Sequence, residues 1–227
     1  MVREKISIAA YIIAAAGFLL LLLLGYFGYE KIFHREQEHL LTLNGVPFLF
    51  PKWSVANARS DEQGPKQTIT TYGMLPDFTT WNEDLKPDFH SRDPNYIAIT
   101  LDRSLYGTNV VKNIKRNLAE DNSKGGYVTQ LMSDLGLNKT ENPNRARYYF
   151  FPMDKTLEEM VIVCTRPSTN PAIGTYRCQA YIDRHKYRIQ YRFAPEKLPE
   201  WKLIYTKVAD YIETLRQRGD QAISVTN

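Results

Sequence analysis

The chain has 227 residues, 43% hydrophobic, 12% aromatic and 24% charged, with 29 basic against 25 acidic side chains and a net charge of +4. These values fit one globular domain with a small appendage. The basic excess is too small to indicate a nucleic-acid partner, and no internal repeat or long low-complexity tract is present.

The apolar residues are unevenly spread. Ile6 to Gly28 ("ISIAAYIIAAAGFLLLLLLGYFG") carries no charge over its length, enough for a helix to cross a hydrocarbon layer of about 30 Å. A cleaved signal peptide is the rival reading. However, its apolar region is normally about 7 to 15 residues and ends in small residues, whereas here Leu19 to Leu24 run into Tyr26 and Phe27. Residues 1–28 therefore read as an uncleaved, single-pass membrane anchor, with aromatic residues at its interfacial end. Ala10, Ala14 and Gly17 fall on one face of that helix, a small-residue stripe that offers a homodimer seam. Arg3 and Lys5 before the span are balanced by Lys31 and Arg35 after it, so charge alone does not orient it.

Residues 29–44 read as a stalk that continues the membrane helix, and residues 45–227 as the exported domain. Gly45 to Pro94 contains six prolines and reads as short strands and loops wrapping the domain. "NYIAITLD" (Asn95 to Asp102) alternates as a strand. "TNVVKNIKRNLAE" reads as a helix opened by Thr108 or Asn109, and "YVTQLMSDLG" (Tyr127 to Gly136) as a second helix closed by Gly136. "RARYYFFPM" (Arg145 to Met153) reads as another strand.

The two cysteines, Cys164 and Cys178, lie in "VIVCTRPSTNPAIGTYRCQAYI". Pairing them as opposite members of a hairpin also pairs Ile162 with Ala180 and Met160 with Ile182, all on one face, around the turn-forming "PSTNPAIG". Opposed residues approach closely enough for a bridge. A zinc site or a redox pair would need C-x-x-C-like spacing, which is absent. Two reduced, buried cysteines are the plain alternative. A structural disulfide is the preferred reading and places the domain in an oxidising compartment, with localisation at the inner membrane and the C-terminal domain in the periplasm.

A second hairpin follows if Ile182 pairs with Tyr187, Ala180 with Ile189 and Cys178 with Tyr191. Trp201, Ile204, Tyr205, Val208, Tyr211, Ile212 and Leu215 then recur at helical spacing, which predicts an amphipathic helix over that sheet. The expected fold class is α+β: one domain with a mainly antiparallel sheet, helices packed on one side and a C-terminal amphipathic helix.

Catalytic signals are sparse. There is no G-x-S-x-G elbow, phosphate loop, H-E-x-x-H or G-x-G-x-x-G. Asp84, Asp88, His90 and Asp93 crowd "NEDLKPDFHSRDP" and offer a carboxylate and imidazole set for an anchored hydrolase, but a Pro-flanked loop of this kind is commonly solvated surface. His34 and Glu38 lie four apart on the stalk, and two groups do not close a metal site. No catalytic residue, metal or cofactor is assigned. Asn138-Lys139-Thr140 forms a glycosylation sequon that matters only in a eukaryotic host.

From Arg145 to Phe193 there are nine basic and four acidic side chains. Arg177, Arg188 and Arg192 fall on the sheet face opposite the apolar one, with Arg177 across from Arg192 and with Tyr181 beside them as an aromatic anchor. A neighbouring carboxylate would explain them internally. An acidic protein partner or an anionic lipid surface would explain them as a binding face. The composite expectation is a membrane-tethered, non-catalytic protein-binding module, for which an immunity protein against a periplasmic toxin and an envelope-machinery accessory subunit are candidates.

Overall fold

The computed structural model describes residues 38–51, 54–55, 64–80, 93–103, 109–123, 125–166 and 177–226. The expected membrane span, residues 6–28, and the small-residue stripe within it lie outside them. Among the described residues no helix is long and apolar enough to cross a membrane. The chain divides into two compact units, Met1–Glu38 and His39–Asn227.

In chain order the elements are β1 (Glu38–Leu43), β2 (Val46–Pro51), β3 (Gly64–Lys66), β4 (Thr68–Met74), β5 (Thr79–Thr80), β6 (Tyr96–Arg103), α1 (Val110–Asn122), β7 (Val128–Met132), β8 (Leu137–Glu141), β9 (Arg147–Pro152), β10 (Met160–Thr165), β11 (Cys178–Asp183), β12 (Tyr187–Phe193) and α2 (Trp201–Thr226). A nine-stranded sheet runs β5-β4-β6-β12-β11-β10-β9-β8-β7, and a three-stranded one runs β2-β1-β3. Among the described residues the strands of the large sheet pair antiparallel, while β1 and β3 pair in parallel. The α+β class with a mainly antiparallel sheet and a C-terminal helix therefore stands.

The path of the chain explains the strand order. After β6 the chain crosses the sheet through α1 to the far edge, then meanders back through β7 to β12 until β12 lands beside β6. The two helices consequently lie on opposite faces, and not on one side as expected.

On the core face, Ile69, Ile99, Leu101, Phe150, Ile162, Ala180, Ile189 and Tyr191 are all at most 2% exposed. Strand alternation places them together, because successive side chains point to opposite faces. The helix α2 closes this face with Trp201, Ile204, Val208, Ile212 and Leu215, the stripe its spacing predicts. Trp201 Nε1 donates to Leu135 O at 2.8 Å, and Tyr211 Oη lies 3.4 Å from Thr71 Oγ1. The small sheet adds Leu41, Leu43, Phe48 and Phe50, all fully buried, with Phe48 edge-on to Tyr187 at 5.2 Å.

Cys164 and Cys178 are directly opposed in the β10–β11 ladder and form a disulfide with Cα atoms 4.1 Å apart. The expected pairing of Ile162 with Ala180 and Met160 with Ile182 is the observed one.

Three local expectations are corrected. Glu38 to Leu41 belong to strand β1, not to a helical stalk; His39, Leu41 and Leu43 alternate inward. Asn44 and Gly45, with φ of 50° and 77°, then form the two-residue turn that favours a hairpin. Tyr127 to Gly136 form β7 and a turn, not a helix. Gly125 and Gly126, at φ of 77° and 123°, precede the strand, and Gly136 at φ 65° closes the β7–β8 turn through its N–H to Ser133 O. Finally, β11 and β12 pair two residues away from the expected register: Ile182 faces Ile189, Ala180 faces Tyr191 and Cys178 faces Phe193.

Candidate functional site

On the outer face α1 covers part of the sheet. Asn109 caps its start, accepting from Lys112 N–H at 2.6 Å, and Val111 N–H donates to Asp183 Oδ2 on β11 at 2.8 Å. A carboxylate at this position satisfies one of the orphan N–H groups and meets the positive end of the helix dipole. Further along α1, Lys115 lies over the Phe151 ring at 5.8 Å and donates to Glu158 O. A groove of about 220 Å³ lies between α1 and the β7–β8 hairpin, lined in part by Leu118, Tyr127, Thr129 and Phe151.

Toward β4 the outer face becomes polar and aromatic. Thr68 Oγ1 donates to Asp102 Oδ1 at 3.0 Å, Gln190 Nε2 donates to Asp102 Oδ2, and Gln179 Nε2 donates to Gln190 Oε1 at 2.7 Å. This ladder ties four strands together across the face. Beside it the rings of Tyr72 and Tyr96 stack at 5.4 Å with 30° between their planes.

Arg192 is exposed and sits opposite Ala98 on one side and Gln179 on the other. Arg177 is half-buried immediately before β11. Both arginines act on Tyr96. Burial first, and then the neighbouring Tyr72, push the Tyr96 hydroxyl well above the ordinary tyrosine value, while Arg177 and Arg192 pull it the other way. Tyr96 therefore remains a neutral phenol at physiological pH.

The ladder sets Arg192 in one row with Ala98 and Tyr72, and the charges of Arg177 and Arg192 both reach the Tyr96 hydroxyl. Arg188 does not join them. Arg188 Nε donates to Asp183 Oδ1 at 3.3 Å, with the two side chains only 15% and 6% exposed, so its charge is met inside the fold by the carboxylate that caps α1. Tyr181 is half-buried, between Val161 and Gln190. Arg192 faces Gln179 and not Arg177, so the like-charge opposition expected from the sequence does not occur.

Tyr72 and Tyr96 were not singled out from the sequence, although Tyr96, Ala98, Thr100 and Asp102 alternate with buried Ile97, Ile99 and Leu101. That alternation places Tyr96 on the polar face.

Of the acidic and histidine loop, Asp84, Asp88 and His90 lie outside the described residues. Asp93 closes a turn, accepting from Asn95 N–H at 2.7 Å. His34 also lies outside, and Glu38 begins β1. Among the described residues no three His, Cys, Asp or Glu side chains are gathered as a metal site.

No protein-family model and no curated protein matches the sequence. Solved structures do match the fold. One is Smlt3025, an immunity protein of the Stenotrophomonas maltophilia type IV secretion system, at TM-score 0.56 and 14% identity, covering 79% of this chain and 93% of that one. Another is the iron-regulated outer membrane lipoprotein FrpD of Neisseria meningitidis, at TM-score 0.52 and 10% identity, covering 80% and 93%. At these identities the likeness shows a shared fold.

Proposed function

We propose that this chain is a non-catalytic protein-binding module, held at the bacterial inner membrane by residues 6–28 with its domain in the periplasm. In this reading it serves as an immunity protein that captures an acidic toxin or similar partner. The observation that carries the proposal is the Tyr72–Tyr96 stack flanked by Arg177 and Arg192. Tyr and Arg are the residue types over-represented at binding hot spots, and guanidinium groups held beside an aromatic surface suit carboxylates on a partner. The charge-free segment supports the anchor, the Cys164–Cys178 bridge supports an oxidising compartment, and the fold likeness to an immunity protein supports the class of activity.

The test places a photo-crosslinking amino acid at Tyr72 in the full-length chain, in the membrane of its native host. A crosslinked partner is expected, and its capture should weaken with added salt, because exposed charges are screened over about 8 Å at physiological ionic strength. The Arg192→Glu variant, changed at an exposed position, should lose most of its partner capture while its thermal unfolding stays close to that of the parent. Undiminished capture by that variant, with no salt dependence, refutes the assignment of this face.

A further inference from the structure

The two edges of the large sheet are built differently. At one edge β5 is only two residues long, Thr79 and Thr80, and a very short edge strand offers little to pair with. The other edge is β7, five residues reading Val-Thr-Gln-Leu-Met, with four of the five exposed. It carries no charge and no proline, and its ladder with β8 runs unbroken from Val128 to Met132, so it has no bulge. Charged side chains, prolines and bulges are the devices by which natural edges resist strand addition, and β7 lacks all three. Val128 is 61% and Leu131 60% exposed, one on each face of the sheet.

We infer that β7 is a self-association edge that pairs antiparallel with β7 of a second copy, centred on Gln130. This site is separate from the proposed partner face. Three observations select a second copy as the occupant. First, the strand is neutral, so it meets itself without like-charge cost, whereas a charged partner strand would find no counter-charge on it. Second, directly opposed residues of antiparallel strands point to the same face, so a two-fold axis at Gln130 sets Val128 against Met132 of the other copy and Leu131 against Thr129. Each exposed aliphatic side chain thereby meets the paired strand, twice over by symmetry. Third, Thr129 lines the groove of about 220 Å³ that also contains Leu118, Tyr127 and Phe151. In this register Leu131 of one copy stands beside Thr129 of the other, at the margin of that groove. The chain supplies both the projecting side chain and the recess.

A five-residue ladder is small beside the roughly 800 Å² per partner of a stable interface. The dimer is therefore weak and forms where copies are concentrated, as they are when both are confined to one membrane.

The experiment introduces single cysteines into the full-length chain in its membrane, with Cys164 and Cys178 left in place, and follows mild oxidation on non-reducing gels. Gln130→Cys should give several-fold more homodimer than Thr206→Cys, an exposed position on α2. A mixture of Thr129→Cys and Leu131→Cys chains should give more dimer than either alone. Adding Leu131→Lys to Gln130→Cys should abolish the band; Leu131 is exposed, so the fold survives the change. Equal crosslinking at positions 130 and 206 would mean random collision and overturn the inference, as would a Gln130→Cys adduct to a different protein in place of the homodimer.

Discussion

Gly219→Ala is the sharpest test of how α2 is seated, because two physical effects predict opposite signs. Gly219 lies inside α2 and is buried. On helix propensity alone, alanine in a helix interior is favoured over glycine by about 1 kcal/mol. The structure opposes this gain. A Cβ at Gly219 would stand 2.7 Å from both Pro47 C and Pro47 O and 2.8 Å from Phe48 N, where ordinary contact begins at 3.4 Å. The helix and β2 would have to separate by about 0.7 Å, and the obstruction is backbone, so no rotamer change relieves it. The next side chain on β2, Phe48, is fully buried and packs edge-on to Tyr187, so the displacement spreads into the core. Overpacking of this kind costs about 1–3 kcal/mol, occasionally more. Set against the propensity gain, the variant should be less stable by up to about 2 kcal/mol. Urea unfolding of a fragment spanning residues 38–227 measures this, with Trp201, 1% exposed, as the fluorescent reporter. A Gly219→Ala midpoint equal to or above that of the parent, at unchanged slope, would show that the close approach of α2 to β2 does not constrain the fold.

The disulfide joins residues 14 apart, for which chain entropy gives about 3 kcal/mol. Cys164→Ser should lower the urea midpoint accordingly, and two free thiols in mass spectra of the non-reduced protein would show that the bridge is not made. Glu213 accepts from Arg216 Nη2 at 2.7 Å and Nε at 2.9 Å, and from Gln217 Nε2 at 3.0 Å; these bonds, with Arg216 the larger influence, hold its carboxyl down to about 2 from an ordinary 4.5. A carboxyl depressed by folding stabilises above its unfolded value and loses that contribution as the pH falls from about 4.5 toward 2. Because the pair is 33% and 46% exposed, solvent reduces its worth to about 0.3–0.5 kcal/mol. Glu213→Gln should flatten the acid limb of stability by that amount, and an acid limb identical to the parent's would refute the coupling.

The elements with strong periodicity were legible in the sequence. The stripe from Trp201 to Leu215 buries where its spacing places it, and the opposition of Cys164 to Cys178 could be read from two short runs and the turn between them. The region from Tyr127 to Gly136 was not legible. Its apolar residues occur at intervals that suit a short helix, yet four of the five residues in β7 are exposed, so burial imposed no period for the sequence to record. What decides this segment is the pair of left-handed glycines before it and the ladder to β8, and only the glycines are local. The stretch from Glu38 to Leu43, expected as part of a stalk, failed for a different reason. Its signal was the Asn44-Gly45 turn between two alternating runs, and the charge-free segment upstream invited extension of a helix through it.

The misplaced register between β11 and β12 shows why a face can be read correctly while its members are not. A slip of two residues keeps every side chain on its own side of the sheet, since strand periodicity is two, so both registers give an apolar face and a basic one. They differ in their pairs. The expected alignment set Arg177 against Arg192, a like-charge contact that costs stability. The observed one sets Asp183 against Arg188 and Gln179 against Arg192, and closes the turn with Arg184 N–H donating to Tyr187 O. The penalty in the first alignment was itself the evidence against it, because a neighbouring register exchanged that repulsion for an ion pair at no cost in apolar burial. The same exchange redefines the candidate site. Asp183 holds Arg188 and the start of α1 together, which makes that arginine part of the scaffold, while Arg192 stays exposed on the outer face, in line with Ala98 and Tyr72.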